Sequence, residues 1–226
     1  MTAIALLTGR ACTLAGSDAL SGIAKTPATL PIALGTESLA GDEQADRRVH
    51  GGAEKAVHHY PFDHYPIWLS ELGNLEALRA PGGFGENISA SGLTEKTVAV
   101  GDIFRLGTAL LQVSQGRQPC WKLNHRFGVK DMARQVQTTG RTGWYYRVLE
   151  PGIVNAGDGL ELVDRLQPSW TLHRLWHALY VDRMNRDELG AMAALDVLAE
   201  GWRKYAVRRL ESGRVEDWRN RLDGKT

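Results

Sequence analysis

The sequence predicts a mainly β fold with appended helices, in which a closed or nearly closed β-barrel precedes a three-helix segment. Up to residue 164, short apolar runs are separated by glycine and proline, which is typical of strands joined by tight turns. After Pro168 the apolar residues take the three- and four-residue spacing of helices. We therefore divide the chain into a barrel domain, residues 1–167, and a helical segment, residues 168–226.

The composition is that of a globular protein with a substantial core. Of the 226 residues, 43% are hydrophobic and 23% are charged, and the net charge of +1 argues against a nucleic-acid polymer as partner. No apolar run approaches the ~20 residues that a membrane-spanning helix needs, so we expect no membrane partner. The N-terminus lacks the regions of a signal peptide, and two cysteines make no disulfide framework. We therefore expect a cytoplasmic location.

The first predicted strands are short and interrupted by proline. They cover residues 3–8, 22–27 and 30–34, where Pro27 and Pro31 favour edge strands over a helix. Lys25 and Thr26 place a cation and a hydroxyl at such a strand edge. The alternative is an ordinary exposed pair.

The next segment contains the glycine pair Gly51-Gly52. Two glycines allow backbone conformations that are closed to other residues, and they let main-chain amides approach a ligand closely. With Arg47, Arg48 and Lys55 nearby, the pair predicts an anion-binding turn, although a plain turn with solvated charges explains it equally well.

Two adjacent histidines follow, His58 and His59. Neighbouring residues of a strand point to opposite faces, so we expect one to face a pocket and the other to face the core or solvent. A helix is predicted over residues 67–78. The glycine-rich loop 81–88 has neither Walker nor dinucleotide spacing, which excludes a nucleoside-triphosphate or Rossmann site, but its Glu86-Asn87 pair can present hydrogen-bonding groups.

The second half of the predicted barrel is more regular. Strands are predicted over residues 98–106, 109–113, 143–150 and 160–164, with a hairpin turn at Gly107-Thr108. A helix over residues 131–137 is predicted to stop at Gly140.

Between these strands lies the sequence that we take as the centre of the protein, Gln115-x-Arg117-x-Pro119-Cys120. Pro119 stiffens the turn, and the cations Arg117 and Lys122 lie close by in sequence. Cationic surroundings favour the thiolate, which is the form of cysteine that attacks or binds metal. The alternative is a buried, inert cysteine that packs as a small hydrophobe.

The helical segment has recognisable start and stop signals. Ser169 is the predicted N-cap of the first helix, and Asn185 with Glu188 forms a capping box for a second helix that runs through Ala199. A third helix is predicted to stop at Gly213. The basic run at 203–209 is either a solvated helix face or a surface on which a partner docks.

Taken together, these segments resemble the MOSC domain family, in its YiiM-like form, over nearly the whole chain. The resemblance rests on Gly41-Asp-x-Gln-x-Asp46, Val49-His-Gly-Gly-x-x-Lys55-Ala, Phe84-Gly-Glu-Asn87, Gly101-Asp102 and Gln115-x-Arg117-x-Pro-Cys120. It implies a MOSC-type β-barrel that binds the molybdenum cofactor, a phosphorylated pterin dithiolene, with Cys120 as the metal-binding residue. The implied cofactor-binding positions are Lys25, Thr26, His50, Gly51, Gly52, Asn87, Arg117 and Cys120.

The resemblance also implies an activity, the reduction of N-hydroxylated compounds such as N-hydroxylaminopurine base analogues to amines. Cys120 would then be catalytic, and His50 or His59 would deliver a proton. Because the chain has no cluster motif or flavin signature, electrons would come from a separate reductase, for which the helical segment offers a docking surface. One alternative is a non-catalytic carrier that holds a persulfide or the molybdenum cofactor on Cys120. Another is a module that binds purines without chemistry. The oligomeric state stays open.

Overall fold

The computed structural model describes residues 4–29, 31–46 and 51–224. Its strands are β1 (Ala5–Thr8), β2 (Cys12–Thr13), β3 (Leu20–Ser21), β4 (Thr26–Pro27), β5 (Ile32–Leu34), β6 (Val57–Pro61), β7 (Ile88–Ala90), β8 (Asp102–Leu106), β9 (Ala109–Gly116), β10 (Trp144–Glu150), β11 (Gly152–Val154) and β12 (Glu161–Arg165). Its α-helices are α1 (His64–Leu72), α2 (Lys122–Phe127), α3 (Met132–Thr139), α4 (Leu172–Tyr180), α5 (Arg186–Ala193), α6 (Glu200–Ser212) and α7 (Arg219–Asp223).

The strands form one large mixed sheet and two short ribbons. The large sheet has the order β12-β8-β9-β10-β6-β7-β1-β4 and is antiparallel except where β6 runs parallel to β7. Strands β11 and β5 form one ribbon, and β2 and β3 form the other. Within the described ranges the edge strands β12 and β4 do not pair with each other. The mainly β fold with appended helices is therefore confirmed, but the closure of a barrel is not.

Glycines with positive φ set several element boundaries. Gly107 (φ 56°) forms the turn of the β8–β9 hairpin, as predicted, and Gly140 (φ 74°) ends α3. The helix predicted over residues 67–78 instead ends at Leu72, because Gly73 takes a φ of 78° and its N–H donates to the Leu69 carbonyl. Only a 3-10 turn, Glu76–Leu78, follows.

The helical segment differs from the prediction at two boundaries. The N-cap of α4 is Thr171, whose hydroxyl accepts from the Arg174 N–H at 3.1 Å, so the assignment to Ser169 was wrong. Asn185 does cap α5, but that helix ends at Ala193 rather than Ala199. Helix α6 ends at Gly213 as predicted. None of the described helices has the length and apolar character needed to cross a membrane.

The sheet and the helical segment share one core. Buried Val113 and Trp144 of the sheet belong to the same cluster as Leu175 of α4 and Trp202 of α6. The Ala199 N–H, immediately before α6, donates to the Ser114 carbonyl of β9 at 2.9 Å. The helices therefore pack against the strand that leads into the Cys120 turn. The division at residues 167 and 168 stays a prediction.

Candidate functional site

An open pocket lies where β9 ends, beside the segment between β3 and β4. It encloses about 590 Å³, part of which is open to solvent. Four predicted site residues line it together: Lys25, Asn87, Arg117 and Cys120.

Cys120 is half-buried in the turn between β9 and α2. Its carbonyl accepts from the Leu123 N–H at 3.0 Å, which starts the helix. On the other side the turn is held by α7, an element that the sequence did not predict. The Arg221 guanidinium donates to the Pro119 carbonyl, and the Arg221 carbonyl accepts from the Trp121 N–H at 2.8 Å. The thiol therefore sits on a turn that is fixed from both sides.

Lys25 is a buried cation in the pocket wall, with a residue exposure of 8%. It pairs with Asp42, whose Oδ1 also accepts from the Gly9 N–H at 2.9 Å. Burial lowers the pKa of Lys25, while the carboxylates of Asp42 and Glu86 oppose this shift. The pair fixes the ammonium group in place and neutralises most of its charge.

Arg117 provides a second buried cation, with 5% exposure. Its Nη2 donates to the Phe84 carbonyl at 3.4 Å, but its Nη1 is buried and has no hydrogen-bond partner among the described residues. A buried polar group without a partner is costly, and a guanidinium satisfies that need best with an anion. Arg117 therefore favours an anionic ligand in this pocket.

Lys55 reaches the pocket from a 3-10 turn, Ala53–Lys55. Gly52 precedes this turn with a φ of 87°, and the Glu54 carbonyl accepts from the Ser114 hydroxyl at 2.6 Å. Burial lowers the pKa of Lys55, and the nearby charge of Cys120 opposes this shift. Gly51 and Gly52 are not among the described lining residues. Their predicted role as direct ligands stays a prediction, and the turn that follows them presents Lys55.

The two histidines of β6 separate as the alternation of a strand requires. His58 lines the pocket, where burial and then the charge of Arg117 lower its pKa. His59 has 0% exposure and lies on the opposite face, its ring 4.3 Å from that of Trp144 and its Nδ1 3.0 Å from the Tyr146 hydroxyl. This position does not suit the predicted delivery of a proton by His59. His50 lies outside the described residues.

Thr26 follows Lys25 directly in the chain, and neighbouring side chains of an extended segment point to opposite sides. Thr26 is exposed on β4 and does not line the pocket, so the predicted ligand role has no support from its position. Asn87 lines the pocket, but its side-chain amide forms hydrogen bonds to the backbone of β6 and β1. It accepts from the His58 N–H at 3.0 Å and donates to the Leu7 carbonyl at 3.2 Å.

The wall formed by residues 82–87 depends on Glu86. This fully buried carboxylate accepts from the N–H groups of Gly82 and Phe84 at 2.8 and 3.0 Å and from the Tyr65 hydroxyl at 2.5 Å. Its oxygens therefore point into the loop and hold Phe84 and Gly85 in place as lining residues.

Tyr145 is a lining residue that sequence reasoning missed. It pairs with His58 across β10 and β6, and the two ring centroids are 5.0 Å apart. The aromatic run 144–146 predicted a strand, but only the pairing register decides which of its rings faces the pocket.

Comparison with known families agrees with this architecture. The model of the MOSC domain matches residues 46–161, and that of the YiiM-like, 3-alpha helix domain matches residues 170–213. The chain belongs to the MOSC domain family. The MOSC match contains Lys55, His58, Arg117 and Cys120, whereas Lys25 and Asp42 of the pocket lie before it.

Several known proteins are similar to this chain over most of its length. Protein YiiM of Escherichia coli is 41% identical over 91% of this chain and 91% of its own, and the uncharacterized protein YflK of Bacillus subtilis is 44% identical over 83% and 84%. A protein of Gibberella moniliformis named "Reductase" is 39% identical over 70% of this chain and 28% of its own length. Among solved structures, YiiM from E. coli superposes with a TM-score of 0.83 at 33% identity, covering 98% of each chain.

Proposed function

We propose that this MOSC protein binds the molybdenum cofactor in the Cys120 pocket and reduces N-hydroxylated compounds, such as N-hydroxylaminopurine base analogues, to amines. The observation that carries the proposal is the convergence of a half-buried thiol with buried cations, one of which has an unpartnered N–H. The family match and the relative named "Reductase" support an oxidoreductase role.

The residues present fit a phosphorylated pterin dithiolene. The Cys120 thiolate is a soft ligand, which suits a metal whose remaining ligands include dithiolene sulfurs. Arg117 and Lys55 provide charged donors for a phosphate, and Tyr145 offers aromatic surface to a flat ring system. When bound, the cofactor supplies the two-electron chemistry of oxygen removal.

The overall reaction converts a hydroxylamine, two electrons and two protons to an amine and water. The chain contributes orientation and charge: Arg117 and Lys55 would hold the anionic end of the cofactor, and Cys120 would hold its metal. The lowered pKa of His58 leaves its imidazole neutral near pH 7, so it suits a hydrogen bond to the substrate better than a stored proton. Delivery of a proton by His50 stays part of the proposal.

The electrons come, in this proposal, from a separate reductase that docks on the helical segment. The relative named "Reductase" supports a redox role for the family domain. The exposed basic residues of α6, Lys204 and Arg208, are the part of the segment best suited to an acidic donor.

The decisive experiment measures metal and pterin in protein purified from a molybdenum-replete host. We expect stoichiometric molybdenum in the parent protein and its loss in Cys120→Ala. The variant Cys12→Ala, which removes the other cysteine outside this pocket, keeps the metal.

Two results would contradict the proposal. Metal-free parent protein that carries labile sulfane sulfur on Cys120 would instead indicate a persulfide carrier. Molybdenum-loaded protein that binds a hydroxylaminopurine but gives no amine with an artificial electron donor would indicate a carrier of the cofactor or a binding module.

A further inference from the structure

A second pocket adjoins the Cys120 pocket. It encloses about 500 Å³, part of which is open to solvent, and it shares Ser21 and Ile23 with the first pocket. Its other lining residues are Cys12, Thr13, Leu14, Ala15, Ala24, His125 and Arg126.

Helix α2 connects the two pockets. Lys122, at its start, lines the first pocket, and Arg126 lines the second. Residues four apart lie on the same face of a helix and are about 6 Å apart along its axis. Lys122 and Arg126 therefore lie on one face of α2, and the two pockets adjoin along it.

The polar groups of the second pocket suit an anion, although much of its lining is apolar. No carboxylate is present among its described lining residues, whereas Arg126 and His125 contribute cationic or hydrogen-bonding groups and Thr13 contributes a hydroxyl. The Arg126 Nε is buried and has no hydrogen-bond partner within the described ranges. A guanidinium with a free, desolvated N–H matches a phosphate oxygen in both charge and geometry.

We propose that this pocket is a phosphate subsite, which holds the phosphate monoester of a substrate whose purine lies at the boundary of the two pockets, beside Ser21 and Ile23, with its N-hydroxyl group toward the Cys120 pocket. The inference rests on the proposed function and extends its substrates from N-hydroxylated bases to N-hydroxylated nucleotides. A cofactor phosphate has the same chemistry, but the first pocket already provides Lys55 and Arg117 for that group.

Occupancy can be measured without cofactor or activity, because Cys12 is an exposed thiol in the wall of the subsite. We expect adenosine 5′-monophosphate to slow the alkylation of Cys12, as read by peptide mapping that separates Cys12 from Cys120, whereas adenosine does not. In Arg126→Gln, the nucleotide concentration that halves the rate of Cys12 alkylation should rise roughly ten- to one hundredfold. This is the loss of affinity expected when charge-assisted hydrogen bonds to a phosphate are removed. Arg126→Lys restores part of the protection. The control Lys130→Gln, which removes an exposed positive charge outside the pocket, keeps all of it.

Steady-state kinetics then assign the phosphate to substrate or cofactor. We expect Arg126→Gln to lower the ratio of kcat/KM for an N-hydroxylaminopurine nucleotide over that for the free base, also roughly ten- to one hundredfold. A different result would overturn the substrate assignment: Arg126→Gln loses molybdenum and pterin, but its ratio of kcat/KM values stays that of the parent protein. The subsite would then bind the phosphate of the cofactor. Cys12 alkylation that is equally fast with and without the nucleotide would overturn the subsite itself, whatever the fate of the proposed function.

Discussion

At the scale of single residues, His59 couples stability to pH. Its imidazole is fully buried beside Trp144 and Tyr146, and burial lowers its pKa from the ordinary 6.5 to about 3. In the unfolded chain the same group takes up a proton below its ordinary pKa. Between these two values the unfolded state binds more protons than the folded state, so stability falls as the pH falls through this window. The contribution of His59 is fully present above pH 6.5.

We predict that His59→Gln flattens the dependence of the unfolding free energy on pH. Within this pH window the unfolded state binds one more proton at His59, which changes the unfolding free energy by about 1.4 kcal/mol per pH unit. The variant removes this part of the slope because glutamine does not titrate. Urea denaturation at pH 4.5, 5.5 and 6.5 measures it. Tyr146→Phe is the matched control, since it removes the same hydrogen bond and destabilises the protein while keeping the slope. Equal slopes in His59→Gln and the parent would contradict the assignment.

Residue chemistry could be predicted from the sequence better than residue orientation. The sequence around Pro119 correctly placed Cys120 and Arg117 together, because both belong to one short, stiff turn. The choice between His58 and His59 depended on the register of β6 against β10, which no local pattern fixes. For that reason the sequence could not tell which of the two histidines faces the pocket.

At the scale of elements, long-range pairing decides where α4 begins. Thr171 forms a bridge with Ala99, and the Leu172 N–H donates to the Val98 carbonyl at 2.9 Å. These contacts keep Thr171 extended, so its hydroxyl rather than that of Ser169 caps the helix. Serine and threonine both cap helices well, so the sequence alone favoured Ser169, and a partner more than sixty residues away selects Thr171 instead.

We predict that Thr171→Ala lowers the unfolding free energy by about 1 kcal/mol, because the Arg174 N–H loses its acceptor. Thr171→Ser retains the hydroxyl and most of the stability. Ser169→Ala leaves the carbonyl that accepts from Arg174 in place and changes stability by less than about 0.5 kcal/mol. Chemical denaturation of the three variants tests this. A larger loss in Ser169→Ala than in Thr171→Ala would show that the cap was assigned to the wrong residue.

At the scale of the whole molecule, the helical segment supports the functional turn. The Trp202 ring of α6 lies over Gly116, the last residue of β9, and a Cβ at Gly116 would be 3.1 Å from that ring. Gly116 leads directly into Arg117, whose N–H donates to the Gly143 carbonyl at 3.0 Å. The sequence predicted both the strands and the helices, but not the particular residues through which they pack. The contact joins segments that are far apart in the chain. The spacing of apolar residues predicts helices and strands, but not which distant residues touch each other.

This shared core predicts the behaviour of Trp202→Ala. Removing a buried tryptophan costs about 3–5 kcal/mol, and the loss should reach both sides of the contact. In native-state hydrogen exchange we expect the amides of β9 and β10 to lose protection together with those of α4 and α6, because they open as one cooperative unit. Val207→Ala, at an exposed position of the same helix, should change neither set. If only the amides of the helical segment lost protection in the variant, the segment would be an independent domain. That result would contradict its role in supporting the Cys120 turn.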